Sequence, residues 1–288
     1  MNPSESKTPA IEIDVRIDKL TVLPGRVWCS ERPRALIAIV HGLGEHSGRY
    51  AALADALVEK RFSVVALDLP GHGSALGVRG DFPSWLEVRD RIIPSMFTVT
   101  RGMPGQPPEL PVVLLGHSMG GAMALDYALA HPKTLLGVVV SAPALKSAPP
   151  PWFKAALARV VHSVAPGAAF AHGLDESGIS RDPEVMAVRA MDPLMHSKIS
   201  PRTYYALEEA RARIFRDARR LSIPALVLVP VADRVVDAKG SLEFTGMAPH
   251  EQVRMISYKD AYHELFNDLA RDLVIRDLVG WLDAIVVV

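Results

Sequence analysis

Apolar and charged residues alternate over Ile11-Glu12-Ile13-Asp14-Val15-Arg16-Ile17. That period predicts a half-buried strand, antiparallel and at a sheet edge. Lys19 to Cys29, interrupted by Pro24-Gly25, reads as a second edge strand or hairpin arm. The pattern then changes to short, continuous apolar runs at Ala35 to Val40, Phe62 to Leu67, Pro111 to Leu115, Leu135 to Val140 and Ile223 to Val229. Such runs suit strands covered on both faces. Gln252 to Ser257 closes the strand series. Helical spacing of apolar residues fills the gaps: Ala51 to Lys60, Trp85 to Arg101 with a break or kink at Pro94, a helix opening with Ala122 to Tyr127, then Tyr204 to Arg220, Lys239 to Met247 and Glu264 to Ala284. Alternation of this kind predicts one α/β domain with a mostly parallel central sheet and helices on both faces. The rhythm breaks after the sixth strand, where 146–205 shows helical patches and Pro/Gly punctuation but no convincing strand. The expected organisation is a core formed by 1–145 and 206–288, with 146–205 inserted as a helical cap or lid over the site.

Composition narrows the function classes. The chain has 288 residues, 49% of them hydrophobic, enough to bury a large core without disulfide support. Lys plus Arg and Asp plus Glu are both 32, so the basic footprint of a nucleic-acid binder is missing. A single cysteine, Cys29, excludes an intramolecular disulfide and a cysteine-based metal cluster. Met1 to Ala10 is polar, without the apolar centre of a signal peptide, and no apolar run reaches membrane-spanning length. A soluble, cytoplasmic protein is expected.

The chemistry begins at Gly116-His117-Ser118-Met119-Gly120. Gly-x-Ser-x-Gly between a buried strand and a helix is the context of a nucleophile elbow. A serine on that sharp turn holds its hydroxyl out of the sheet, and the helix that follows aims N–H groups at developing negative charge. The hydroxyl needs a base, and the base needs an orienting acid. Both follow in the required order. Asp233 comes straight after the strand Ile223 to Val229, and His263 comes just after the strand ending at Ser257. Reacting groups in open α/β sheets gather at those carboxyl ends. Asp237 competes with Asp233, and His250 and His196 compete with His263, each from farther off. Donors for a tetrahedral oxyanion are expected from the backbone N–H of Met119 and of Leu43, the latter flanked by Gly42 and Gly44. His41, His72 and His117 are expected to be structural, with the His117 side chain pointing away from Ser118.

Five segments together carry a family resemblance: 41–50 (HGLGEHSGRY), 68–74 (DLPGHGS), 116–121 (GHSMGG), 232–236 (ADRVV) and 262–265 (YHEL). They resemble the monoacylglycerol lipase and lysophospholipase group of α/β-hydrolases, related to the S33 serine aminopeptidases. The resemblance implies the α/β-hydrolase fold, a cofactor-free and metal-free serine hydrolase, a helical cap and a long acyl tunnel. It implies Ser118, Asp233 and His263 as the triad, and Leu43 and Met119 as oxyanion donors. Glu45 and Arg49 match the polar pocket for the glycerol end, and Gly42 joins them as a substrate-binding position; Glu45 and Arg49 could equally pair with each other and brace the loop. The expected substrate is a monoacylglycerol, with lysophospholipid or simple ester hydrolysis, acyl transfer, and a non-catalytic binding fold as alternatives. Val231 and Asp260 stand where such families usually carry glycine. The cap matches least, apart from Arg181-Asp182-Pro183 and Asp192-Pro193-Leu194. Within it, Trp152, Phe153, Leu157, Val160, Val161 and Val164 form an apolar stripe expected to pack on the core. The alternative is transient contact with a membrane or micelle.

Overall fold

The computed structural model of the chain describes residues 8–147 and 159–286. In chain order the strands are β1 (Ile11–Arg16), β2 (Val22–Trp28), β3 (Ala35–Val40), β4 (Phe62–Leu67), β5 (Val112–His117), β6 (Gly137–Ser141), the short β7 (Phe170–Ala171) and β8 (Lys198–Ile199), β9 (Ala225–Pro230) and β10 (Val253–Tyr258). Eight of them form one sheet in the order β1-β2-β4-β3-β5-β6-β9-β10. The hairpin arms β1 and β2 are antiparallel at the edge, as their alternation requires, and β2 joins β4 antiparallel. From β4 to β10 every neighbouring pair is parallel. The alternation of β3 explains the two-sided burial: Leu36, Ala38 and Val40 enter one core, and Ala35, Ile37 and Ile39 enter the other.

The helices are α1 (Ala51–Glu59), α2 (Trp85–Glu87), α3 (Ile93–Arg101), α4 (Met119–Ala130), α5 (Pro183–Met191), α6 (Pro201–Asp217), α7 (Lys239–Met247) and α8 (Arg271–Ile285). Pro94 sits in the first turn of α3, after a π-helical turn at Val88–Ile92, which is the break its missing N–H demands. Side chains of α3, α4 and α6 fill one core, and those of α1 and α8 fill the other.

Four expectations need correction. Helix α4 starts at Met119, not near Ala122, because Ser118 itself occupies the position before the helix. The inserted segment does contain strand: β7 and β8 pair antiparallel, too short for periodicity to reveal. The last helix does not begin at Glu264. Leu265–Asn267 is a 3₁₀ turn, and α8 starts only at Arg271. Asp268 interrupts it, accepting N–H bonds from Arg181 and Ala270 and pairing with the Arg181 guanidinium. Of the apolar stripe, Trp152, Phe153 and Leu157 lie outside the described residues. Val160 and Val164 are 61% and 77% exposed, so those two do not pack on the core.

The elbow rests on close backbone approach. A Cβ on Gly120 would stand 2.1 Å from the Val40 carbonyl oxygen, and one on Gly116 would stand 2.2 Å from the Gly120 oxygen. Strand β3, strand β5 and helix α4 therefore meet with no room for a methyl group. Gly120→Ala is expected to cost about 3 kcal/mol or more, since backbone must move on both sides. Thermal unfolding followed by circular dichroism should show a Tm about 10 °C lower. An unchanged Tm would mean that the elbow has slack.

Candidate active site

Ser118 sits at the carboxyl end of β5 with φ 54° and ψ −118°, a left-handed conformation rare for a residue with a side chain. Its neighbours hold it there: the Ser118 N–H donates to the Ser141 carbonyl at 2.9 Å, and the Ser118 carbonyl accepts from Ala122 and Ala144. The turn brings Ser118 Oγ to 2.9 Å from His263 Nε2. On the far side of the ring, His263 Nδ1 lies 2.7 Å from Asp233 Oδ2. The other carboxylate oxygen of Asp233 accepts N–H bonds from Val235 and Val236 at 2.7 and 3.1 Å. With the Asp233 side chain 1% exposed, its orientation is fixed and its charge is shielded from water. A carboxylate beside Nδ1 favours the tautomer protonated there, which leaves the Nε2 lone pair facing Ser118 Oγ.

The rival residues are occupied elsewhere. Asp237 accepts the Lys239 N–H in a turn before α7. His250 is exposed, and the His196 ring packs on His72 with centroids 4.7 Å apart.

Two backbone donors are available beside Ser118. Among the described residues, neither the Leu43 N–H nor the Met119 N–H has a protein acceptor. Met119 heads α4, where the first N–H groups of a helix are unsatisfied and the dipole is positive. Leu43 lies in the loop after β3, clamped at both ends. The Gly42 N–H donates to Glu45 Oε2 at 2.9 Å. Gly44, at φ 77°, carries a carbonyl that accepts the His196 N–H, and any Cβ there would run into the His196 carbonyl.

Gly42, Leu43, Glu45, His117, Ser118 and His263 line one small cavity of about 30 Å³. Glu45 is held from three sides. Burial opposes its charge, but His117, Arg49 and the Gly42 N–H outweigh burial and hold the pKa below the usual carboxylate range. The Tyr50 hydroxyl adds a bond at 2.9 Å. Arg49 is set back from the cavity wall. Its guanidinium pairs with Glu264, not directly with Glu45 as the bracing alternative supposed. Nothing in the alternation of the chain singled out Glu264. It follows His263, is 3% exposed, donates its N–H to the Ile179 carbonyl, and accepts from Asn267. Burial raises its pKa first, Arg49 pulls the other way, and the net shift is upward. The sequence signals were its adjacency to the histidine and its place in the segment 262–265.

His117 also departs from expectation. It does not turn away from Ser118: its ring lines the same cavity and packs at a tilt of 56° against His263, centroids 4.7 Å apart. Strand alternation, which sends consecutive side chains to opposite faces, ends where the elbow begins. Burial lowers the His117 pKa from 6.5 to about 4 against the pull of Glu45, so the ring is neutral at pH 7. His41 and His72 are shifted the same way, chiefly by burial. These groups bind protons more readily when unfolded. The contribution of His117 is therefore fully present above pH 6.5 and is lost as pH falls through about 4. For fully buried His117 it is on the order of 3 kcal/mol. Urea unfolding at pH 7 and pH 4.5 should show a smaller acid loss for His117→Gln than for the wild type. Equal losses would mean that this ring does not titrate with folding.

Residues 31–270 match the serine aminopeptidase S33 family. A monoacylglycerol lipase of Mycolicibacterium smegmatis is 32% identical over 264 residues, covering 89% of this chain and 91% of that one. A human monoglyceride lipase is 34% identical over 244 residues, covering 82% of this chain and 78% of its own length. Among solved structures, the Paleococcus ferrophilus monoacylglycerol lipase superposes with a TM-score of 0.82 at 34% identity, covering 91% of this chain and 99% of that one. The fold is that of the α/β-hydrolases.

Proposed function

The chain belongs to the serine aminopeptidase S33 family, and on that premise we propose that it hydrolyses monoacylglycerols to a fatty acid and glycerol through an acyl-serine on Ser118. The single observation that carries the reading is the continuous chain Ser118–His263–Asp233, with bonds of 2.9 and 2.7 Å beside two unengaged N–H groups. His263 Nε2 removes the Ser118 proton as Oγ attacks the ester carbonyl, and the Leu43 and Met119 N–H groups receive the oxyanion. His263 then gives that proton to the departing alcohol oxygen. Water attacks the acyl-serine with His263 again as base, releasing the acid and restoring Ser118. Asp233 holds the imidazole and stabilises its charged form. Every step balances with water as the sole co-reactant and needs no metal or organic cofactor.

Gly42 and Glu45 belong to the substrate wall in this reading, and Arg49 acts through Glu264. The segment 146–205 acts as the cap. His172 and Leu174 of that segment line the cavity over Ser118. No helix among the described residues is long and apolar enough to cross a membrane. Exposed Val160, Val164, Phe170 and Met191 give the cap an apolar surface that suits transient contact with lipid aggregates.

The test compares 1-monoacylglycerol, lysophosphatidylcholine and p-nitrophenyl esters of one chain length, with fluorophosphonate labelling and peptide mapping in parallel. Labelling at Ser118 and the highest kcat/KM on monoacylglycerol are expected. A preference for the phospholipid, or a product esterified to added alcohol in place of free acid, would replace this reading. Failure to label or turn over any ester would reduce the fold to a binding role.

A further inference from the structure

His263 lies on the loop between β10 and α8, and part of the inserted segment is stitched to that loop. The carbonyls of Gly178 and Ile179 accept the N–H groups of His263 and Glu264 at 3.1 and 2.9 Å. The Ser180 hydroxyl donates to the Asn267 carbonyl at 2.8 Å. Arg181 reaches Asp268 with its backbone N–H and with two guanidinium nitrogens. Asp182, which caps α5, accepts from Arg271 at 2.8 Å. Gly178 to Asp182 thus each bond a residue between His263 and Arg271. Burial divides the insertion at the same place. Gly178, Ile179, Ser180 and Asp182 are buried, whereas 173–177 just before them are exposed.

Asp268 is the joint of this arrangement. It is fully buried, has Arg181 as its cation, and accepts the N–H groups of Tyr262 at 3.4 Å and Ala270 at 3.1 Å. Through it Arg181 reaches the residue immediately before His263. The loop of the triad acid closes the other side. The Arg234 guanidinium lies 4.9 Å from the centre of the Tyr262 ring, and its stem crosses Gly178, where a Cβ would stand 2.6 Å from Arg234 Cβ. The stretch 178–182 therefore fills the angle between the Asp233 loop and the His263 loop. Removing the guanidinium would leave the Asp268 carboxylate buried without a cation, so it would have to turn toward water and release Tyr262.

We propose that Arg181 is a positioning residue for His263, acting through Asp268 and the Gly178 and Ile179 carbonyls, so that 178–182 belongs to the catalytic frame and not to the lid. The assignment rests on the triad reading above and on no particular substrate. It gives the Arg181-Asp182-Pro183 pattern a role: the arginine holds the histidine loop, while the aspartate and proline start α5.

The experiment compares wild type, Arg181→Leu, Arg181→Lys and Arg202→Leu. It measures the rate of fluorophosphonate labelling at Ser118, kcat/KM on p-nitrophenyl butyrate, Tm, and the downfield proton resonance of the hydrogen bond between His263 and Asp233. Arg202 is the control, because it pairs with Asp81 near the far end of the inserted segment and does not touch the His263 loop. In Arg181→Leu both rates should fall about tenfold or more, since a small misplacement of a reacting group is costly, and the resonance should broaden or shift. Arg202→Leu should keep both rates within about twofold of the wild type and leave the resonance in place. Arg181→Lys offers Asp268 one cationic head in place of a two-pronged one and should lie between; it decides the matter if the leucine variant does not fold. Rates and resonance equal to the wild type in every folded Arg181 variant, or losses that Arg202→Leu reproduces, would overturn the assignment and reduce these contacts to packing. A wild type that neither labels nor turns over the ester would instead overturn the triad reading, and the Arg181 assignment with it.

Discussion

Ser118→Ala is expected to lower kcat on every ester by about 10⁵-fold while leaving the Tm within a few degrees of the wild type. The hydroxyl makes a single protein hydrogen bond among the described residues, the 2.9 Å contact with His263, so its loss removes the proposed nucleophile and little else. The strained φ of 54° is set by the elbow backbone and persists in alanine, so no stability is gained from relaxation. Asp233→Asn should cost about 10³- to 10⁴-fold in kcat. An amide cannot match the carboxylate's stabilisation of a charged imidazole, and it upsets the protonation of Nδ1. The two losses should not add in the double variant, because both residues act through His263. Pre-steady-state assays with a p-nitrophenyl ester would read this directly: a burst of nitrophenol in the wild type and none in Ser118→Ala. Full turnover by the alanine variant would place the nucleophile elsewhere.

Arg49→Leu is expected to be the most destabilising single change near the site, at about 3 to 5 kcal/mol. The guanidinium is 9% exposed and lies among two buried carboxylates, pairing with Glu264 and supporting the charge on Glu45. Without it two buried negative charges face each other with no cation between them beyond the distant contact of Arg189. Thermal unfolding should show a Tm lower by about 10 °C. The deficit should shrink as the pH falls toward the carboxylate range, since a protonated Glu264 has no charge to pair. Adding Glu264→Leu should restore part of the stability, because removing both partners is far less costly than orphaning one. A pH-independent deficit would point to lost packing of the arginine stem in place of lost charge.

Local pattern determined much of this protein. The continuous apolar runs mark buried strands because burial on two faces leaves no position for a polar side chain, and β3, β4, β5 and β9 formed where those runs lie. The meeting of Ser118, Asp233 and His263 was legible because each follows a strand, and the carboxyl ends of parallel strands converge on one edge of the sheet. Helix α6 starts three residues before the Tyr204 that the apolar period marks, because Ser200 caps it and Pro201 opens it.

What the tertiary structure decided is the ionic and aromatic surround of the site. Glu264, Arg49 and Arg189 come from three separate segments, and their pairing depends on folded geometry that no spacing rule encodes. The break at Asp268 has the same origin, since Arg181, 87 residues away, draws its carboxylate out of the helical pattern. His117 packs on His263 because the elbow suspends strand alternation at the position where the chain turns. Sequence patterns record the period of burial along one element. Contacts between elements, each fixed by charge or ring geometry at a few ångströms, arise only when those elements are brought together.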